Sequence, residues 1–337
     1  MVKSRDIWVD IVKVFACILV VLGHFFPSMV ASDLLPSSAL YEWFQQTIYY
    51  FHVPLFFICS GFLHQKYSNI RSVSSLGFNV IKKVLAYGIP YFSFSVVSYL
   101  LKTVFSSTVN TEVGGFFDTL FVHPMSPYWY LYALITMFFF AFTVTTNKEA
   151  FFVVLVAFLL KITTFFIQID IPILRYFLEN SIWFAIGIGL SFFNVVDFMK
   201  KRKVLLQVCM PVVCTIVFFL LSVFVQSWSS AFAFVMGILG CAGTILFALL
   251  IEEKFNPSVV KVLSIYSFPV FLMHTIFAAG LRSVLFKLSI HDSIFHVVFG
   301  LVISFIGPVI AAYIMSKIKW FDFILYPNRY LKINRKK

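Results

Sequence analysis

The chain has 337 residues, of which 61% are hydrophobic, 20% aromatic and 12% charged, with 45 Phe and a mean hydropathy of +0.96. Soluble domains carry about 25% charged residues, so this chain has too few to cover a water-facing surface, and lipid must be its solvent. The net charge of +12 lies mainly in connecting segments and at the C-terminus, a pattern of membrane topology and not of nucleic-acid binding.

A bilayer core of about 30 Å takes about 20 apolar residues per helix. In chain order the apolar runs predict ten spans, near 8–30, 43–63, 84–106, 128–146, 150–168, 181–198, 204–225, 230–251, 265–288 and 295–316. The expected fold is all-α: one polytopic membrane bundle over 1–337, with helices over about 8–316 and a basic cytoplasmic tail at 317–337. A lipid-facing barrel would alternate polar and apolar residues, whereas Phe151 to Leu160 is apolar throughout.

Cations gather on one side of these spans: Lys3 and Arg5, then Lys66, Arg71, Lys82 and Lys83, then Lys200, Lys201, Arg202 and Lys203, then Lys254 and Lys261, then the C-terminal tail. The opposite loops hold Asp33, Glu42, Glu112, Asp118, Asp170 and Glu179, with Arg175 almost their only cation. Both termini are therefore expected in the cytoplasm. Asp10 and Lys13 interrupt the first apolar run, which reads as a span and not as a cleavable signal peptide. The tail residues Asn334 to Lys337 would face anionic lipid. Cys17, Cys59, Cys209, Cys214 and Cys241 lie in apolar runs without metal or disulfide spacing, and no metal is expected.

Ionisable residues inside spans cost at least a few kcal/mol unless they face a polar interior. In the first span Lys13 and His24 are eleven residues apart. At 100° per residue they share an azimuth to within about 20° and stand about 16 Å apart along the axis, with Asp10 on the same side. Lys13 also fits a snorkelling role and His24 a structural one, but an imidazole is the side chain best suited to proton transfer near neutral pH. The second span carries Gln45, His52 and Cys59 at intervals of seven, a Pro54 kink, and Ser60-Gly61, which suit either a site or close helix packing. The ninth span places Ser267 and His274 seven apart; this histidine requires a buried partner. His64, His123, His291 and His296 fall near loops and are expected to be solvated or interfacial. Lys82 and Lys83 suit the phosphates of an anionic cofactor, although topology alone also asks for cations there.

Several of these residues carry a resemblance. Lys13, ten intervening residues and His24 in Leu22-Gly23-His24 resemble the basic-residue, ten-spacer, histidine signature of acyltransferase family 3, and the run YFHVPLFFICSGF over 50–62 resembles the family's second-helix motif. Lys82-Lys83 ahead of Ile89-Pro90-Tyr91 is similar to its basic cluster before Pro-Tyr. Trp129 with the next five residues, and Ser267 through His274, are similar to two further motifs in the same order. The chain departs from the pattern with Lys13 where relatives often have Arg, and with Leu85 where many have a second basic residue.

The resemblance implies a multi-pass acyltransferase of a bacterial-type plasma (inner) membrane that moves an acetyl group from cytoplasmic acetyl-CoA to a hydroxyl of an envelope sugar, a polysaccharide or a lipid-linked precursor. It makes His24 the essential histidine and Lys13 its basic partner. On this basis Lys13, Lys82 and Lys83 would hold the donor's phosphates, Asp10 would orient Lys13, His52 or His274 would donate to the thioester oxyanion, and Ser60 and Trp129 would meet the acceptor. Direct transfer and an acetyl-histidine relay both fit. The outward aromatics Trp43, Trp129, Trp183 and Trp228 suit sugar stacking or, for most of them, the membrane interface. The rival from another class is a transporter or flippase of lipid-linked sugars, although no inverted repeat is visible.

Overall fold

The computed structural model describes residues 5–104, 114–225 and 229–331. Lys3, Glu112, Trp228 and the tail from Asn334 to Lys337 lie outside the described residues. The described chain is helical with no strand, as an all-α membrane bundle requires.

The first helix, α1 (Ile7–Val30), runs unbroken through both Lys13 and His24. The second expected span divides into α2 (Ala39–Tyr49), capped by the Ser38 side chain, and α3 (His52–Tyr67), with the helix broken at Tyr50 and Phe51. Pro54 falls in the first turn of α3, where its missing N–H removes no intrahelical bond. Gln45 and His52 therefore belong to different helices. The third span begins earlier than expected, with α4 (Val73–Lys83) opened by reciprocal Ser72–Ser75 capping. A wide π-helical turn over Val84–Gly88 leads into α5 (Ile89–Val104), and it lies where Pro90 would clash with the carbonyl four residues earlier.

The fourth expected span is only partly helical. Its helix, α6 (Trp129–Phe138), has ten residues, about 15 Å. Beyond it the Val144 N–H donates to Gln65 and the Gln65 amide donates to the Val144 carbonyl, while the Thr143 N–H donates to the Ile70 carbonyl. These bonds replace those that a continued helix would make. Next come α7 (Asn147–Phe166), capped by Thr146, and α8 (Pro172–Phe192). The latter starts well before residue 181, because Arg175, Glu179 and Asn180 lower the hydropathy without ending the helix. A left-handed Asn194 (φ 49°) starts the short α9 (Val195–Lys200). The remainder is α10 (Val204–Phe224), α11 (Ser230–Ile251), α12 (Pro257–Lys287), α13 (Ser293–Met315) and α14 (Lys319–Leu325). Part of the expected tail is thus folded, and Arg329 and Tyr330 both bond Asp322.

Among the described residues, eight helical stretches are long and apolar enough to cross a membrane. The other two expected spans correspond to the short α6 and the more polar α8. Helix α1 is central, packed on α12, α3, α11 and α13, and Trp8, Val12, Ala16, Leu55, Phe57 and Leu272 form part of the core around it. Much of the apolar surface of α7 and α10 is left uncovered, as lipid-facing helices require. The closest approach joins α3 to α8. A Cβ on Gly61 would strike the Phe184 carbonyl, and one on Gly187 would strike the Ile58 carbonyl, so two glycines allow backbone-to-backbone contact.

At the cation-rich end Lys66 and Tyr67 bond Asp6 at 2.5 and 2.7 Å, Lys200 pairs with Glu252, and Ser264 donates to Asp10 at 2.7 Å. These contacts join segments expected on one side of the membrane. Two loop histidines differ from expectation. His64 is buried against Phe138 and Phe184 because α3 extends to Tyr67, and His296 is buried in the first turn of α13, bonded to the Ile290 carbonyl. His123 and His291 are exposed as expected.

Candidate active site

Histidines from three separate helices converge in the half of the bundle away from the cation-rich end. His24 of α1 lies beside His274 of α12, with ring centroids 5.4 Å apart. The Ser126 hydroxyl, from the segment before α6, stands 3.4 Å from His24 Nε2. Around His24, Gln45 and Tyr49 of α2 both donate to the Gly23 carbonyl, at 3.0 and 3.1 Å, pinning α2 to α1 one residue before the imidazole.

The other two rings are held by backbone. His52 Nδ1 is 2.6 Å from the Ile48 carbonyl, and His274 Nδ1 is 2.9 and 3.0 Å from those of Val270 and Phe271. A carbonyl oxygen only accepts, so each Nδ1 carries a proton, and in the neutral form of either ring Nε2 is a bare lone pair. The His274 Nε2 is buried and has no hydrogen-bond partner among the described residues. Donation from Nε2 to an oxyanion would therefore need the doubly protonated ring, whereas a neutral His52 or His274 would accept a proton there.

His24 forms part of the wall of two cavities. One, of about 450 Å³, lies among α1, α5, α12 and α13 and is lined by His24, His274, Ser28, Lys102, Arg282 and Lys287. The other, of about 360 Å³, is lined by His24, His52, Gln46, Trp129, Glu179 and Asn180, with further aromatic side chains around them. Ser126 borders both. Two chambers thus meet at one imidazole, and a group held in either can reach it.

The expected site residues divide accordingly. His24, His52, His274 and Trp129 come together. Ser60 stands behind the second cavity, 3.4 Å from the Tyr130 hydroxyl, and Tyr130 itself lines that cavity. Trp129 stacks at 4.9 Å on Tyr176. Lys13, Lys82 and Lys83 line neither cavity. Lys13 is near the Cys59 turn of α3, and Lys83 lies 4.6 Å over the Phe138 ring. Asp10 does not engage Lys13: it pairs with Arg5 and accepts from Ser264, which fastens the start of α1 to α12. Trp183 is buried and lines the second cavity instead of marking an interface.

Sequence reasoning passed over Ser126, Lys102, Arg282, Lys161, Glu179 and Asn180, all of which line a cavity. Arg282, Lys161 and Lys102 carried a usable signal, being ionisable residues on helices expected at membrane depth; Glu179 was expected in a loop, and Ser126 carried no signal, since only folding brings its loop onto α1.

The acyltransferase family 3 model, described as an acyltransferase domain, matches residues 6–313. No curated protein and no solved structure matches the chain. The family match runs from the start of α1 to the last turn of α13 and so takes in all three converging histidines and both cavities; the chain belongs to acyltransferase family 3 and is a multi-span membrane acyltransferase.

Proposed function

We propose that the protein moves an acetyl group from cytoplasmic acetyl-CoA to a hydroxyl of an envelope sugar, a polysaccharide or a lipid-linked glycan precursor, in a bacterial-type plasma (inner) membrane. The observation that carries this reading is His24 on the shared wall of two cavities, with Ser126 and His274 beside it.

In this mechanism His24 Nε2 takes the proton of the acceptor hydroxyl as its oxygen attacks the thioester carbonyl. The C–S bond breaks, and the imidazolium returns the proton to the departing thiolate. General base catalysis of this kind supplies about 10² to 10⁴-fold; fixed placement of the two reactants supplies much of the rest. The second cavity, with aromatic faces beside Gln46, Glu179 and Asn180, suits a sugar ring, whose hydroxyls need polar partners and whose apolar faces need aromatic ones. Lys13, Lys82 and Lys83, near the cation-rich end, are the groups proposed to hold the donor's phosphates. Lys13 stands eleven residues, about 16 Å, below His24 on the same helix, so the donor's flexible arm would carry the thioester up that stripe.

His274 acts by setting the orientation of the His24 ring beside which it lies. For His274→Gln, kcat is expected to fall about ten- to a hundredfold with the donor KM changed less than about threefold, measured as acetyl transfer by purified protein. An unchanged kcat would reduce His274 to a packing residue.

The function itself is tested by mass spectrometry of surface glycans and lipid-linked sugars from cells with and without the gene. An O-acetyl group present only with the gene supports transfer and identifies the acceptor. Identical acetylation with an unmodified precursor accumulating inside would replace this reading with that of a transporter.

A further inference from the structure

The first cavity has a charge that the transfer chemistry does not use. Lys102 near the end of α5, and Arg282 and Lys287 near the end of α12, line it together, and no Asp or Glu is among its described lining residues. Arg282 is 5% exposed; it donates through a terminal nitrogen to the Ser28 hydroxyl and carbonyl, while its buried Nε has no hydrogen-bond partner among the described residues. A buried guanidinium without a carboxylate is costly, and Lys102 and Lys287 bring two more cationic side chains to the same wall. Such a set is stabilised when an anion with several oxygens enters, for which the planar guanidinium fork is well suited.

These cations also stand where topology asks for few. They lie at the end of the bundle away from Asp6, Lys66 and Glu252, the side on which the loops are acidic. Arg282 is eight residues beyond His274 on α12, about 12 Å along the axis, so an acceptor with its phosphate at Arg282 reaches His24, where the two cavities meet, and its sugar ring extends into the second cavity.

Resting on the acyl-transfer reading above, we propose that this chamber binds the phosphate or diphosphate of the acceptor, so that the acceptor is recognised as a phosphate-bearing glycan and not as a neutral sugar. The phosphate has two possible sources with one chemistry: the diphosphate of a polyprenyl-linked sugar arriving from the bilayer, or a phosphate on a water-soluble glycan. The donor's phosphates are assigned to the opposite, cytoplasmic end, where the other cations are.

The test uses the purified full-length protein in lipid nanodiscs. Dissociation constants are measured for four probes: a polyprenyl-diphosphate monosaccharide, the matching water-soluble sugar diphosphate, the free monosaccharide, and coenzyme A. For Arg282→Gln, binding of the diphosphate probes is expected to weaken about 10 to 100-fold, and for Lys102→Gln about threefold or more, with loss of salt sensitivity and no change for coenzyme A. If Arg282→Gln does not fold, because its bonds to Ser28 tie α12 to α1, the double variant Lys102→Gln/Lys287→Gln carries the same expectation.

Tight binding of both diphosphate probes assigns the recognised phosphate to any glycan source, and tight binding of the polyprenyl form alone assigns it to the membrane; either supports the site. Weakened coenzyme A binding with unchanged diphosphate binding would overturn it by giving these cations to the donor. Equal affinity of every variant for every probe would overturn it outright. Failure of the acyl-transfer reading is distinguishable: wild-type protein would then bind the diphosphate probes with the same dependence on Arg282 and yet transfer no acetyl group to them.

Discussion

Replacing His24 with Ala is expected to lower acyl transfer by about 10² to 10⁴-fold, with membrane levels and thermal stability close to those of the native protein. The kinetic loss follows from position. Among the described residues His24 is the one imidazole on the wall of both cavities, so no neighbouring histidine can take the proposed proton-accepting role where the two meet. The small structural effect follows from its contacts, since its one described hydrogen bond is the 3.4 Å approach of Ser126, and α2 is tied to the Gly23 carbonyl and not to this side chain. The check is a rate measurement on purified protein beside a melting curve. A variant within about threefold of the native rate would remove His24 from the reaction, and a variant that fails to accumulate would show the histidine to be structural.

The largest stability effect is expected for Gly187→Ala. A methyl group there meets the Ile58 carbonyl and, at 2.8 Å, the Phe62 nitrogen, while Gly61→Ala meets the Phe184 carbonyl and, at 2.9 Å, its carbonyl carbon. Overpacking a core costs about 1–3 kcal/mol when side chains can shift. Here the opposing atoms are helix backbone, which has no rotamer to change, so the cost lies at or above the top of that range. Each variant should lose several degrees of melting temperature and much of its monodisperse yield. The control is Gly77→Ala in α4, where nothing lies within 4 Å of the added carbon; there the better helix propensity of Ala, worth up to about 1 kcal/mol, should leave stability equal or higher. A Gly187→Ala protein as stable as the native one would mean that α3 and α8 are not in backbone contact. Activity should fall with the folded fraction, because α8 carries Glu179, Asn180 and Trp183 to the second cavity.

Composition by itself determined the solvent, because about half the usual charge and a mean hydropathy of +0.96 leave a chain only lipid, and the unbroken apolar runs determined the fold class, because a barrel would alternate polar and apolar residues. Helical spacing by itself determined that Lys13 and His24 share a stripe, since α1 is continuous and its geometry is local. Motif order pointed to the family for the same reason: each motif is a short stretch of one helix or turn. What only the tertiary structure decided is everything that depends on which helices are neighbours. Hydropathy averages over a window, so it ran the second span straight through the break at Tyr50 and Phe51, gave α6 twice its helical length, and started α8 too late at the polar turn holding Arg175 and Glu179. Side-chain partners are long-range, so Asp10 turned to Arg5 and Ser264 and not to Lys13, and His64 and His296 were enclosed by helices distant in sequence or by their own helix ends. The joining of two cavities at His24 draws on residues from Val20 to Ser304. No local pattern encodes such a meeting, because it is the packing of α5, α8 and α12 around α1 that creates the space.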